Sequence, residues 1–174
     1  MKTAGWLIAC LLLAGTAPAQ QLKWNFDKLA ARASNSVDVS LEGPLLRLGT
    51  SFLSDTDKDQ AKIKKLVGGL KGIYVRTFEF KKPGEYSAAD LESFRAPLHG
   101  PDWQRIVGVH SNEEGETVEV YIRSEAKGIG GLAIIATEPK QLTLVNIVGP
   151  IDLDSLSELG GQFGIPEVEV DKKK

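Results

Sequence analysis

Thiol chemistry is all but missing from this sequence. Its single cysteine, Cys10, stands inside an apolar N-terminal run, so residues 11–174 can form no disulfide, no thiolate metal site and no cysteine nucleophile. Histidine is almost as scarce. Only His99 and His110 occur, and any Ser–His–acid machinery must use one of them. There is no excess of positive charge: the formal net charge is −2, too little basic character to hold a phosphate backbone, which argues against nucleic acid as a partner. Long apolar runs are missing as well. Ala4–Ala14 (AGWLIACLLLA) falls short of the roughly 18–20 residues that cross a bilayer as a helix, and no later segment comes closer.

What is present begins with an export signal. Lys2 supplies a positive start, Ala4–Ala14 the apolar stretch, and Ala17-Pro18-Ala19 the small residues a signal peptidase reads, which places cleavage between Ala19 and Gln20. Leu7-Ile8-Ala9-Cys10 has the shape of a lipobox, which would make Cys10 a lipid-bearing N-terminus. Leu11, Leu12 and Leu13 continue the apolar run past it, and this favours the later site. The expected division is a signal peptide over 1–19, one domain over 20–166 and a loose charged tail over 167–174. The expected location is periplasmic or extracellular, with no membrane span left after cleavage.

Apolar spacing maps the domain. Phe26 to Ala33 reads as a short helix, and Val37, Val39 and Leu41 alternate with polar residues as a strand does. Gly43-Pro44 opens a helix with Leu45, Leu48, Gly49 and Phe52 on one face, and Ile63, Leu66, Val67 and Leu70 mark a second one starting near Thr56. The period then changes to two along Ile73–Phe80. Ser87 with Asp90 makes a capping box ahead of Leu91, Phe94 and Leu98. Four strand-like runs follow, Gln104–His110, Thr117–Arg123, Leu132–Thr137 and Leu142–Val148, joined by turns short enough to demand antiparallel neighbours. Ser155 with Glu158 caps a final helix ending at Gly160-Gly161. The expected fold class is α+β: helices packed on a mostly antiparallel sheet with a C-terminal four-strand meander.

Several constellations invite a chemical reading and lose it on inspection. Asp55-x-Asp57-x-Asp59 starts like a calcium loop, but the sixth and twelfth positions are Gln60 and Leu66 where that loop needs glycine and glutamate. Capping of the following helix accounts for these carboxylates, so no metal site is expected. Gly128-x-Gly130-x-x-Ala133 mimics a dinucleotide fingerprint but leads into a strand, not a helix, so the glycines are expected to shape a hairpin and no cofactor is expected. His110, Ser111, Glu113 and Glu114 share one turn, yet neighbouring strand residues point to opposite faces, and no G-x-S-x-G elbow exists. His99 fits the end of its helix. Asp152 and Asp154 fit the start of the last one. No catalytic residue set emerges.

The run Lys64–Phe80 (KKLVGGLKGIYVRTFEF), the segment Leu142–Asp154 (LTLVNIVGPIDLD) and Trp103 after a helix resemble the exported bacterial family called domain of unknown function 4252, over roughly Phe26–Pro166. The resemblance implies an exported α+β domain, a lipoprotein in some members, often encoded near extracytoplasmic-function sigma factors. It implies no activity, ligand or catalytic residue. Three functional classes stay open: a non-catalytic interaction module of the cell envelope, a carrier of an apolar ligand or lipid, and an envelope hydrolase. The most specific expectation concerns the last two strands, which are apolar on both faces. Either helices cover both faces, or Ile135, Val145 and Ile147 form an exposed patch for an envelope protein or apolar ligand.

Overall fold

A computed structural model describes residues 21–151. Alternating residues build strands β1 (Asn35–Glu42) and β2 (Gly72–Glu79), which pair antiparallel with Val39 opposite Val75. The excursion between them is a helical hairpin. Pro44 in the first turn opens α2 (Gly43–Ser51), and Asp57 caps α3 (Lys58–Gly68) by accepting the amides of Asp59 and Gln60, each at 3.0 Å. After β2 come α4 (Ala88–Arg95) and a 3₁₀ turn at Ala96–His99. The chain then runs as the expected meander, β3 (Trp103–Ser111), β4 (Glu116–Glu125), β5 (Gly128–Glu138) and β6 (Gln141–Ile151). β6 docks on β2, giving one antiparallel sheet of order β1-β2-β6-β5-β4-β3. The fold is α+β, and the two-sided apolar strands β5 and β6 occupy the interior of the sheet, as strands of that composition must.

Gly149 makes the docking of β6 possible. Its φ of +130° is closed to other residues, and a Cβ there would lie 2.8 Å from the backbone of Leu70 and Lys71, where β6 passes the end of α3. The first helix is shorter than its apolar spacing predicts. α1 spans Asp27–Ala30 only, because the amide of Ser34 is already drawn to the Glu79 carbonyl at 2.8 Å to begin β1.

The core lies on one side of the sheet. Phe78 and Phe80, Tyr121, Ala133 and Ile135, and Leu142 and Leu144 project from the strands to meet Leu29, Phe94 and Leu98 from the helices. Residues 22–26 run across this side. The Leu22 amide donates to Asn146 Oδ1, the Trp24 indole donates to the Phe94 carbonyl (both 3.0 Å), and the Phe26 ring stacks on Phe94. Asn146 is buried, and its Nδ2 donates onward to the Leu132 carbonyl at 3.3 Å, so both ends of its amide are satisfied.

The capping box at α4 forms as its spacing predicts: Ser87 Oγ accepts the Asp90 amide, and Asp90 accepts the Ser87 amide at 2.8 Å. Arg32 adds a 2.7 Å pair to the same carboxylate. Burial alone would raise the Asp90 pKa, but the hydrogen bonds from Arg32 and Ser87 outweigh it and hold the pKa below its ordinary value. A carboxylate lowered in the folded state stabilises above its unfolded pKa, and that contribution is lost as pH falls through the folded one. Asp90→Asn is therefore expected to lower stability by about 1 kcal/mol at pH 7, in line with the loss of a helix cap. The gap to the parent should close in acid, below the ordinary carboxylate range. Urea titrations of both proteins across pH 2–7 check it, and a gap independent of pH would contradict the assignment.

Candidate interaction surface

The antiparallel register sorts every strand residue onto one face or the other, and the two faces have unequal chemistry. On the side away from the core, three rows cross all six strands, bordered at the Val37 end by Asn35, Glu79, Gln141, Glu138 and Glu116. The first is Val37, Thr77, Thr143, Ala136, Val118 and Val109. The second is Val39, Val75, Val145, Ile134, Val120 and Val107. The third is Leu41, Ile73, Ile147, Leu132, Ile122 and Gln104. No position in these rows carries a charge, and the middle row is valine or isoleucine in every strand. Yet only Leu132 is buried, at 3% exposure, while Val37, Val39 and Leu41 are 37–45% exposed and Val109 is 51% exposed. At strand spacings near 4.8 Å the rows cover on the order of 500 Å².

Helices cover the other face, and it is the more polar of the two. Its rows include Asp38, Arg76 and Glu119, and Ser40, Tyr74, Asn146 and Arg105. Two strands, β1 and β4, put their apolar alternates on the open side and their polar ones on the helix side, and β3 does so from Val107 on, past the bulge at Ile106. A sheet with one face in water ordinarily does the opposite. In β4 this inverts the usual orientation. Alternation alone places Val118, Val120 and Ile122 against the helices; instead Glu119 and Tyr121 are buried there, and the two valines and Ile122 share the half-buried open face. The reason is a polar anchor. Arg95 of α4 grips Glu119 with Nε and Nη2 at 2.8 and 3.1 Å, and the Tyr121 hydroxyl donates to the same carboxylate at 3.2 Å.

The expected patch is therefore divided. Val145 and Ile147 lie on the open face, adjacent to Val75 and Ile73. Ile135 does not join them. It pairs with Leu144 and Glu119 on the covered side and is 0% exposed within the core. Its neighbour Ile134 takes the place beside Val145. One residue decides the face because the strand period is two.

α2 follows β1 directly and packs against α3 and β1, burying Leu46 and Thr50. It leaves Leu45 and Leu48 exposed, and Phe52 is 81% exposed. The amphipathic spacing that marks these three side chains as one stripe is real, but the stripe faces outward.

The remaining constellations resolve into local roles. Asp57 caps α3 and Asp55 pairs with Lys64 within that helix at 2.8 Å, so two of the three carboxylates have partners in α3. Added calcium is expected to leave the melting temperature of the parent and of Asp57→Asn unmoved; a rise of several degrees in the parent alone would show a bound ion instead. Gly128, at φ +124°, turns the β4–β5 hairpin. His110 Nδ1 lies 2.8 Å from Thr117 Oγ1, while Ser111 Oγ accepts the Glu114 amide on the other side of the strand, so the histidine and serine are kept apart. His99 ends the 3₁₀ turn, exposed, 3.9 Å from Glu92. Asp152, Asp154, the Ser155 helix and the 167–174 tail lie outside the described residues. On the helix side, Tyr74 donates to Glu42 at 2.7 Å, and burial together with that carboxylate pushes its pKa up to about 12. Arg76 pairs with Asp38 and stacks over the Phe26 ring. Both form the wall of a shallow groove with Leu22, Trp24, Leu144 and Asn146.

A single antiparallel sheet, with its core on one face and three apolar rows bordered by glutamates on the other, defines a small α+β protein. The chain belongs to the family described as domain of unknown function (DUF4252), whose model matches residues 31–159. No curated protein matches it. Among solved structures it is similar to the solution structure of cyanobacterial PsbP (CyanoP) from Synechocystis sp. PCC 6803. The two are 13% identical, 75% of this chain and 78% of that one are covered, and the TM-score is 0.31, too low to carry an argument about function.

Proposed function

We propose that this chain is a non-catalytic interaction module of the bacterial cell envelope that works through the open face of its sheet. The observation that carries this reading is the inverted patterning of β1, β3 and β4, which spend valine, leucine and isoleucine on the side without the core. In β4 the Arg95–Glu119 contact accounts for that choice and in β1 the Asp38–Arg76 pair favours it, but no contact among the described residues accounts for Val107 and Val109 of β3. A surface built to be covered does. Export is supported by the Lys2, Ala4–Ala14 and Ala17-Pro18-Ala19 sequence, with cleavage before Gln20. A flat face suits a macromolecular surface better than a lipid or other apolar cargo, which is ordinarily enclosed in a concave site.

Two measurements test the reading. An environment-sensitive naphthalene dye is expected to brighten on the purified chain, and the double variant Val39→Glu with Val109→Glu is expected to lose most of that signal while keeping the parental circular dichroism. No dye binding by the parent would remove the open face as a functional surface. Intact mass of the protein from a secreting bacterium is expected to start at Gln20; a species beginning at Cys10 with added acyl mass would replace export into solution by lipid anchoring.

A further inference from the structure

We infer that the α2–α3 hairpin docks the chain on an anionic membrane surface, lying in the headgroup layer without crossing it. This surface is separate from the sheet face proposed above, and either can fail without the other. α2 is apolar on two sides. Leu46 and Thr50, at i and i+4, face the packed side and are buried. Leu45, Leu48 and Phe52, at i, i+3 and i+7, form a second stripe roughly 150° around the helix and are 54, 56 and 81% exposed. Arg47 lies exposed on the same helix. The hairpin is held at both ends. α2 runs straight out of β1, and the end of α3 lies against Gly149 and Pro150 of β6.

Charge selects the occupant. α3 turns Lys58, Lys62 and Lys65, at i, i+4 and i+7, to solvent, while Ile63, Leu66 and Val67 are half-buried. Arg47, Lys58 and Lys65 form no ion pair among the described residues. Residues 43–71 hold six basic residues against three acidic ones, a net +3 in a chain whose formal net charge is −2. The acids gather at the start of α3, where Asp55 is paired with Lys64 and Asp57 caps the helix. Apolar side chains that enter the boundary between headgroups and acyl chains, with lysine and arginine to meet the phosphates, are what an anionic membrane surface binds. A second copy is disfavoured, because two hairpins of net +3 repel each other face to face. Among the described residues no helix is long and apolar enough to cross a membrane, so the contact is peripheral. An acidic protein would also meet the lysines, and vesicles separate the two.

Co-sedimentation with lipid vesicles tests the inference. The parent is expected to bind vesicles of equal parts phosphatidylglycerol and phosphatidylcholine and to ignore vesicles of phosphatidylcholine alone. Its affinity should fall at least tenfold as salt rises from about 0.1 to about 0.5 M. Each basic side chain near an anionic surface strengthens binding roughly fivefold, so Lys58→Gln with Lys65→Gln is expected to weaken it about 25-fold. Leu48→Ser with Phe52→Ser is expected to abolish binding while keeping the parental unfolding midpoint in urea. Val39→Ser with Val109→Ser, on the sheet face, is expected to bind as the parent does. No binding to either kind of vesicle overturns the inference, and binding of polyglutamate by the same protein would then assign the hairpin to an acidic protein. Equal binding to both kinds overturns it too, as does binding that survives in the Leu48 and Phe52 variant. A large fall in the unfolding midpoint of that variant would show that the stripe packs on its own chain, which equally overturns it.

Discussion

Replacing Arg95 by alanine is expected to destabilise the protein by about 3 kcal/mol, at the low end for removing one partner of a buried ion pair. Glu119 is 6% exposed and takes two hydrogen bonds from the Arg95 guanidinium and one from Tyr121. The hydrogen bonds to Glu119 raise the Arg95 pKa despite its partial burial, and burial followed by the same carboxylate raises that of Tyr121. Arg105 stands 3.7 Å away and is largely exposed, so it screens the stranded carboxylate without replacing the bidentate contact. The double replacement Arg95→Met with Glu119→Leu removes both charges together and is expected to recover most of the loss, because the penalty comes from the uncompensated charge. Urea unfolding of the parent, the single variant and the double variant measures this. A single variant within about 0.5 kcal/mol of the parent would show that the pair does not hold α4 to the sheet.

The second large effect is the contrast between the two faces. Ile135→Ala leaves a cavity in the centre of the core, beside Leu144 and Ala133, and is expected to cost about 3 kcal/mol. Val39→Ala, on the open face, is expected to cost less than about 1 kcal/mol at dilutions where the chain is alone. Unfolding midpoints for the two variants separate the faces directly. Equal losses would mean that Val39 is as enclosed as Ile135 and that the sheet has two cores.

These residues also show which features could be read from sequence. Element type was legible wherever the period was unbroken: the β3–β6 meander, the Ser87–Asp90 cap and the helix-terminal role of Asp57 all follow from local spacing and short turns. The pairing of β2 with β6 was not, because nothing local to Gly72–Glu79 distinguishes a neighbour some 70 residues away from the adjacent β3. The face assignment failed where polarity misled. A strand carboxylate ordinarily faces water, and only the arrival of Arg95 from a helix 24 residues earlier compensates the burial of Glu119. Grouping Ile135 with Val145 and Ile147 failed because a strand apolar on both sides carries no marker of which side is covered. The signal that could have found the open face was the agreement of β1, β3 and β4. β1 and β4 alternate cleanly and β3 does so after the bulge at Ile106, and once register is known these apolar halves fall on one side, opposite the aromatic cluster of Phe78, Phe80 and Phe94.

That one face of this sheet is core and the other an accessible apolar surface can be measured at residue level by carbene labelling of the purified chain, read by peptide mass spectrometry at the lowest concentration that gives signal. Val39 and Val109 are expected to label heavily, Val145 and Ile147 measurably, and Ile135, Leu142 and Leu144 not at all. Labelling of Val39 and Val109 as low as that of Leu142 at every concentration would contradict an open face.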